Sequence, residues 1–199
     1  MIEEKTATPL LRSAVVIEGG MFASALLAGW FVGYSPLSTF AHKTTGEHLI
    51  ATGYGLAAGL GMFLVGIALT KIPWEPLQRF EDFTQRQIVP LFLPLSIWQL
   101  GYVSLLAGIG EEVLFRGLFQ GSTTAYSANP NAWVGSLLIV SLLFGLCHFL
   151  NWTYFFLATL MGLCFGGLLI ACDHLGVCII SHALYDWLML LYMVRRYRA

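Results

Sequence analysis

The sequence is short and strongly apolar: of its 199 residues 57% are hydrophobic and 11% are charged, and the formal net charge at pH 7 is -1. Soluble domains average about 25% charged residues, so the composition excludes an ordinary soluble globular protein. The small net charge and the lack of a dense basic run exclude nucleic acid as a partner. The length allows one domain, which we assign to residues 1–199.

Apolar stretches follow one another along the chain. A helix that crosses a bilayer needs roughly 20 mainly apolar residues. The sequence meets this rule about six times, at residues 13–34, 49–70, 88–108, 132–150, 154–172 and 177–194. It therefore predicts an all-α, polytopic transmembrane helix bundle of about six spans. The third span is the least regular, because Pro90 and Pro94 interrupt it.

The segment between the second and third spans has a different composition. Residues 71–87 place Trp74, Phe80 and Phe83 among charged side chains. Mixed aromatic and charged residues are typical of helices that lie in the membrane interface. We therefore predict that part of this segment is an amphipathic, interfacial helix.

Basic residues occupy alternate segments of the chain. They occur near the N-terminus, in 71–87 and in 195–198, whereas the first loop has only Lys43 and the loop 122–131 has no charge. Short cytoplasmic loops carry an excess of Lys and Arg. The pattern predicts an integral protein of the plasma or inner membrane with both termini in the cytoplasm.

A group of ionisable residues lies inside the predicted helices. An ionised side chain at the centre of a spanning helix costs on the order of 2.5–3.5 kcal/mol on insertion scales. Such residues are expected to face a protein interior or an aqueous cavity, and they are candidates for function. The group comprises Glu111, Glu112, Arg116, His148, His182 and Asp186.

Helical spacing separates the two neighbouring glutamates. Glu112 and Arg116 are four residues apart, so they share a helix face and can form an ion pair. Glu111 is rotated by about 100° from Glu112 and has no cation on its own helix. Glu111 is therefore a candidate general base. The alternative is a structural ion pair beside one glutamate that faces a cavity.

The histidines lie on two other predicted helices. His182 and Asp186 are again four residues apart, and His148 lies near the end of the fourth span. A single histidine in a membrane bundle often forms only a helix–helix hydrogen bond. Several polar residues in one small bundle are instead expected to converge. If the spans were straight, His148 and His182 would lie at different depths, so we expect tilted, offset or broken helices.

Three motifs in order along the chain resemble those of a known family. They include the flanking sequence AGIGEEVLFRGLF, and the similarity extends over residues 101–191. This region resembles the CPBP family, also called ABI, of CAAX prenyl endopeptidases and bacteriocin-processing enzymes, which are intramembrane proteases. The motifs are Glu111-Glu112-x-x-x-Arg116, Phe144-x-x-x-His148 and His182-x-x-x-Asp186.

The resemblance implies a function and a first set of roles. It implies a glutamate-dependent intramembrane endopeptidase with a catalytic core at 101–191. The substrate would be a peptide or membrane protein, membrane-associated or lipid-anchored, within the lipid bilayer. Glu111 would activate water with His148 as its partner. Glu112 and Arg116 would be the structural pair, in agreement with their helical spacing.

The resemblance also assigns the cavity and the oxyanion site. Phe144 would line the cavity, and His182 with residue 186 would stabilise the oxyanion. The prenyl endopeptidases often have Asn at the last position, where this chain has Asp186. An ionised Asp cannot donate a hydrogen bond to an oxyanion. Asp186 is therefore expected to be protonated, to orient His182 or to bind a metal.

Other functions stay open on the sequence alone. We expect no cofactor, but a divalent metal such as Zn²⁺ is an alternative, with Glu111, His148, His182 and Asp186 as its ligands; no H-E-x-x-H motif supports it. A non-catalytic scaffold or immunity factor of the same fold is a second alternative. A proton-coupled small transporter is a third, although no inverted repeat is visible.

A few ionisable residues lie outside these motifs. Glu18 lies early in the first span, and a structural role is the favoured interpretation. His42 and His48 flank the first loop and are expected to be solvated. Asp173 and His174 are expected to cap the turn between the last two spans.

Overall fold

The protein is helical throughout its ordered elements. A computed structural model describes residues 2–198, with side chains from Ala7 onward. In this range no strand forms, so the predicted all-α bundle is confirmed. Two wide-turn helical segments, 84–88 and 113–120, join α4 to α5 and α6 to α7. The helices are α1 (Ile2–Val32), α2 (Ser38–Ala41), α3 (Thr45–Leu69), α4 (Glu75–Phe83), α5 (Val89–Phe92), α6 (Ile97–Glu112), α7 (Gly121–Ala125), α8 (Ala132–Cys147), α9 (Trp152–Cys172) and α10 (Leu175–Arg198).

Helix lengths identify the candidate membrane spans. Within the described residues, four helices are long and apolar enough to cross a membrane: Ala7–Val32, Thr45–Leu69, Trp152–Cys172 and Leu175–Arg198. The bent pair 75–92 and 97–125 makes a fifth if it is one broken span. Helix α8 is apolar but has only 16 residues. It is about 24 Å long, shorter than the roughly 30 Å hydrocarbon core, so the count of six spans stays a prediction.

The third apolar stretch is two helices and not one straight span. Helix α5 ends at Phe92, and the chain turns through 108° before α6 begins at Ile97. Pro94 disfavours helical backbone at the residue before it. Ser96 then caps α6: its hydroxyl accepts a hydrogen bond from the backbone N–H of Gln99 at 3.3 Å, and its own N–H donates to Gln99 Oε1 at 2.8 Å.

The segment predicted to lie at the interface contains the helix α4. Its buried side carries Leu77, and on its exposed side Arg79 pairs with Glu75 at 2.6 Å. The amphipathic helix expected within 71–87 is therefore present. Its position at the membrane surface stays a prediction.

Ala7, near the start of α1, and the last turns of α10 lie at one end of the bundle, here called the α4 end. Ala7 of α1 and Val194 of α10 belong to the same buried apolar cluster. Arg196 of α10 forms an ion pair with Glu81 of α4. The last turn of α10, which carries Arg195, Arg196 and Arg198, therefore lies beside α4.

The other end of the bundle, here called the α2 end, holds α2 and the turns after α1, α7 and α9. The hydroxyl of Tyr126, after α7, donates to the carbonyl oxygen of Val32 at the end of α1 at 3.0 Å. Lys43, before α3, pairs with Asp173, after α9, at 2.9 Å. The α4 end therefore has more basic residues than the α2 end, as the predicted orientation requires. That the α4 end is cytoplasmic stays a prediction.

Helix α10 lies at the centre of the bundle and packs on α3, α6 and α9. Glycines let the first two approach it closely. A Cβ atom added at Gly55, Gly59 or Gly108 would lie 2.8 Å from an atom of α10. This packing fixes the helix that carries His182 and Asp186 against the helix that carries the two glutamates.

Candidate active site

The predicted contact between Glu112 and Arg116 is present at the centre of the bundle. Arg116 Nη1 donates to Glu112 Oε1 at 3.1 Å, and both side chains are fully buried. Arg116 Nη2 also donates to the carbonyl oxygen of Gly162 in α9 at 3.1 Å. The pair therefore connects the end of α6 to a neighbouring helix.

Arg116 lies in a helical segment that is wider than an α-helix. The backbone N–H of Gly121 donates to the carbonyl oxygen of Arg116, five residues back, and the wide turns extend over Val113–Gln120. Such segments are rare and frequently lie at functional sites. The helical spacing of Glu112 and Arg116 predicts a regular helix here, and no residue pattern indicates the wider turns.

Aromatic rings surround the guanidinium of Arg116. Its Cζ lies 4.4 Å from the ring centroid of Phe144, 5.3 Å from that of Phe165 and 5.8 Å from that of Phe115. A cation is attracted to the face of an aromatic ring, most strongly where water is excluded. These rings and the Glu112 carboxylate together offset the cost of burying the charge.

His182 lies between two carboxylates. Its Nδ1 is 2.7 Å from Glu112 Oε1, and its Nε2 is 3.4 Å from Asp186 Oδ2. An imidazolium can donate a hydrogen bond from each ring nitrogen, which matches these two acceptors. Phe165 stacks on the imidazole with its centroid 4.7 Å away and an angle of 11°. Glu112 thus orients both Arg116 and His182.

His148 and Glu111 face each other across a short gap. His148 Nδ1 donates to the carbonyl oxygen of Phe144 at 2.8 Å. The neutral ring then has its lone pair on Nε2, which lies 3.6 Å from Glu111 Oε2. Among the described residues, no hydrogen-bond partner reaches this buried Glu111 oxygen. With Glu111 ionised, two hydrogen-bond acceptors therefore lie 3.6 Å apart, and no described side chain donates to the glutamate oxygen.

The difference in depth between the two histidines is resolved by the short helix α8. It ends at Cys147, and the half-buried side chain of the next residue, His148, lines the cavity. The Phe144 ring, one turn earlier, lies 4.4 Å from the His148 ring and 6.1 Å from the His182 ring. Phe144 therefore spans the distance between the two histidines.

A cavity of about 840 Å³ opens onto these side chains. Its other walls are mainly apolar and come from α3, α9 and α10, with α4 at one end. Glu112 and Arg116 lie behind the wall and do not line it. Near the motifs, the carboxylate and histidine side chains of the lining are Glu111, His148, His182 and Asp186.

The arrangement does not fit the predicted metal alternative well. Among the described residues, no group of three or more His, Cys, Asp or Glu side chains is placed to hold a metal ion. The four predicted ligands form two pairs, Glu111 with His148 and His182 with Asp186. We therefore derive no catalytic step through a metal.

Glu18 of α1 lies directly behind this site. A Cβ atom added at Gly110 would lie 2.6 Å from the Glu18 carbonyl oxygen and 2.9 Å from its Oε2. Glu18 Oε2 is buried, and no described residue gives it a hydrogen bond. The packing against Gly110 agrees with a structural role, beside the residue that precedes Glu111.

Two aromatic residues of the site were missed by the sequence analysis. Phe165 stacks on His182, and the edge of Tyr154 meets the His148 ring at 5.9 Å. Both side chains line the cavity. Aromatic residues are common in membrane helices, so the sequence carried no signal that set these two apart.

A second histidine cluster lies at the α2 end. His174 Nδ1 accepts a hydrogen bond from the backbone N–H of Gly176 at 3.0 Å. Its Nε2 therefore carries the proton and donates to His48 Nδ1, also at 3.0 Å. The Phe40 ring packs against both imidazoles, at 4.7 Å from His48 and 5.6 Å from His174. The prediction that His48 is solvated holds only in part, because its half-buried ring also accepts a hydrogen bond from His174, 126 positions away, which no local pattern indicates.

The charged residues of this second cluster are paired. Asp173 ends α9 in the left-handed conformation, with φ of 46°, and accepts a hydrogen bond from Lys43 at 2.9 Å. That hydrogen bond raises the pKa of Lys43. Burial, with His48 and Lys43 nearby, lowers the pKa of His174. The predicted capping of this turn by Asp173 and His174 is confirmed.

The fold and the site define a class of protein: a helical integral membrane protein with an ionisable site inside its bundle. Residues 93–188 match the family model described as type II CAAX prenyl endopeptidase Rce1-like. This match supports membership of the chain in the CPBP family of CAAX-type intramembrane proteases, which its motifs predicted. The matched region contains every motif position from Glu111 to Asp186. Neither the curated proteins nor the solved structures contain a match to the chain.

Proposed function

We propose that the protein is an intramembrane endopeptidase that hydrolyses a peptide bond of a membrane-associated or lipid-anchored substrate. The proposal depends above all on the distance of 3.6 Å between Glu111 Oε2 and His148 Nε2. Both residues lie in the cavity wall. Family membership supports a protease, and this pair supports water as its nucleophile.

The attacking water would be held by both residues. Two acceptors 3.6 Å apart can each receive one hydrogen bond from a single water molecule at about 2.8 Å. The lone pairs of its oxygen would then be directed away from Glu111 and His148 and toward a peptide carbonyl in the cavity. His148 is fixed for this purpose by its hydrogen bond to Phe144.

The reaction proceeds in two steps. Glu111 takes a proton from the water while the water oxygen bonds to the carbonyl carbon, which forms a tetrahedral oxyanion. The carbon–nitrogen bond then breaks, and Glu111 returns the proton to the leaving amine. The products are a carboxylic acid and an amine, and Glu111 is again a carboxylate.

The oxyanion would be stabilised by His182. His182 lines the cavity, and its Nε2 makes only a long contact, 3.4 Å, with Asp186. The Nε2–H group of His182 can therefore donate a hydrogen bond to an oxyanion. Asp186 would orient the ring and keep it protonated, a role that does not require it to donate.

Glu112 and Arg116 would support the site without touching substrate. Both are fully buried behind the cavity wall, and Glu112 holds His182 Nδ1 at 2.7 Å. Substitutions at either residue would therefore reduce catalysis through the position of His182.

The remaining assignments follow from this function. One membrane domain, 1–199, would contain the catalytic core at 101–191. The termini would be cytoplasmic, in a plasma or inner membrane. The substrate would be a peptide or membrane protein in contact with lipid. This mechanism uses no resident metal, so a chelator should leave the rate of peptide cleavage unchanged. Loss of cleavage with a chelator and its recovery with Zn²⁺ would contradict the mechanism.

The proposal is tested with purified protein in detergent and a mixture of membrane-anchored peptides. Glu111→Gln keeps the size of the side chain but cannot take a proton, so cleavage should fall by about 100-fold or more. Glu47→Gln, an exposed glutamate at the α2 end, is the matched control and should cleave as the wild type does. Equal cleavage by Glu111→Gln and the wild type would contradict the role of Glu111 as the base, and a wild type that cleaves none of the peptides would instead favour the non-catalytic scaffold.

A further inference from the structure

The glycines of α3 and α9 are of two kinds. The first kind makes close helix contacts. A Cβ atom added at Gly59 would lie 2.8 Å from the Ser181 carbonyl oxygen of α10, and one at Gly162 would lie 3.0 Å from Ser141 Cα of α8. Such glycines are explained by helix packing.

Gly61 and Gly167 are of the second kind. A Cβ atom added at either position would meet no described atom within 4 Å, and both residues line the cavity. Glycine within a helix is unfavourable relative to alanine, and helix packing does not explain these two. What they share is the cavity.

Both positions lie on helix segments whose neighbouring residues pack on His182 or on residues close to it in α10. On α3, Gly61 lies between Gly59, which packs on Ser181, and Gly66, which packs on Tyr185. On α9, Gly167 follows Phe165 by two residues, and Phe165 stacks on His182 at 4.7 Å. The two glycine positions, where the backbone has no side chain, therefore lie beside the candidate active site.

The two helices form different walls of the same cavity. Both α3 and α9 pack on α10, and each contributes cavity-lining residues. The flexible side chains of Met62 and Met161 lie one position after Gly61 and six before Gly167, also in the lining. Methionine side chains adapt to apolar groups of varied shape. The walls around the two glycines therefore fit an apolar group.

We infer that Gly61 and Gly167 are specificity-determining positions. By lacking side chains they keep the cavity wide beside His182, so that a bulky apolar side chain of the substrate fits next to the scissile bond. This inference rests on the proposed peptidase function and adds the class of residue that the cavity selects.

The test compares Gly61→Leu and Gly167→Leu with the wild type. The substrates are membrane-anchored peptides that carry Ala, Leu or Trp beside the cleaved bond. For each variant, the ratio of kcat/KM for the Trp peptide to that for the Ala peptide should fall about tenfold or more, because the added side chain takes up pocket space. Gly53→Leu is the matched control: it is also on α3 and without a neighbour within 4 Å, but it lies outside the cavity lining. An unchanged ratio in both cavity variants would overturn the inference.

A binding measurement separates this inference from the proposed function. Fluorescent forms of the same peptides are titrated into Glu111→Gln protein, with and without Gly61→Leu. Weaker binding of the Trp peptide alone would support the inference even if the wild type cleaves none of the peptides. Equal binding of all three peptides would overturn it. If a Leu variant does not fold, Gly61→Ala is used and should give a smaller change in the same direction.

Discussion

Two clusters in this protein combine histidines with carboxylates and a cation. They differ in whether their polar atoms are hydrogen-bonded to one another or lie free beside a cavity. At the α2 end, both ring nitrogens of His174 are hydrogen-bonded and Lys43 pairs with Asp173. In the bundle, Glu111 Oε2 and His148 Nε2 face each other at 3.6 Å beside a cavity. Buried polar atoms are nearly always hydrogen-bonded. The types of residue in a cluster therefore do not identify an active site. Two hydrogen-bond acceptors that lie close together beside a cavity do identify one.

The clusters also differ in how far their ion pairs are buried. Glu112 and Arg116 are 0% exposed, whereas the side chain of Asp173 is 75% exposed. Removing one partner of a buried pair leaves an uncompensated charge, whereas an exposed pair contributes little. The comparison predicts large effects in the bundle and small effects at the α2 end.

The largest effect is expected for Arg116→Met. The variant leaves Glu112 buried without its cation and should lower the free energy of unfolding by about 3–5 kcal/mol, as measured by unfolding in detergent. Arg79→Met breaks an exposed pair with Glu75 and should cost about 1 kcal/mol or less. Similar losses in the two variants would remove the distinction between buried and exposed pairs.

The next effect concerns Asp186. If it orients His182, Asp186→Ala should reduce kcat about 100-fold, a loss comparable to that of an oxyanion donor. Asp186→Asn retains an oxygen that can accept from Nε2 and should lose about tenfold or less. Kinetics with one peptide and all three proteins give the comparison. If the Ala and Asn variants are equally active, Asp186 does not position His182.

Part of this site could be predicted from the sequence because it is local. The spacing of four residues predicted that Glu112 contacts Arg116, and the same spacing placed Asp186 beside His182. The apolar stretches predicted the helices, and Pro94 indicated an irregular third one. These inferences need only helical geometry and composition.

The rest depends on contacts between distant parts of the chain. The hydrogen bond between Glu112 and His182 joins residues 70 positions apart, and that between His48 and His174 joins residues 126 apart. The wide turns around Arg116 have no residue signature. Tertiary packing decides all three features, so one sequence does not contain a readable signal for them.

At the α2 end, His174→Ala should have a modest effect. It removes the hydrogen bonds to His48 and Gly176 and should lower the free energy of unfolding by about 1 kcal/mol. Peptide cleavage by the folded variant should match the wild type, because this cluster lies at the other end from the α4 helix and outside the cavity lining. A large loss of cleavage would show that the two clusters are coupled.

The smallest effect is a dependence of stability on pH. Unfolded histidine binds a proton near pH 6.5, whereas the pKa of folded His174 is lowered by burial. Below about pH 6.5 the unfolded state binds a proton that folded His174 does not bind. The free energy of unfolding should therefore decrease as the pH is lowered from about 6.5 to the lowered pKa of folded His174. Unfolding measured from pH 7.5 to 5 should show a flatter profile for His174→Gln. An identical slope in the variant would assign the dependence to other groups.

The most direct test of the central claim is a double-mutant cycle on Glu111 and His148. Single-turnover cleavage is measured for the wild type, Glu111→Gln, His148→Ala and the double variant. If the two residues hold one water, either change disables the pair, and the double variant should be about as slow as the slower single variant. If the two losses multiply in the double variant, the residues act independently, which would contradict the account.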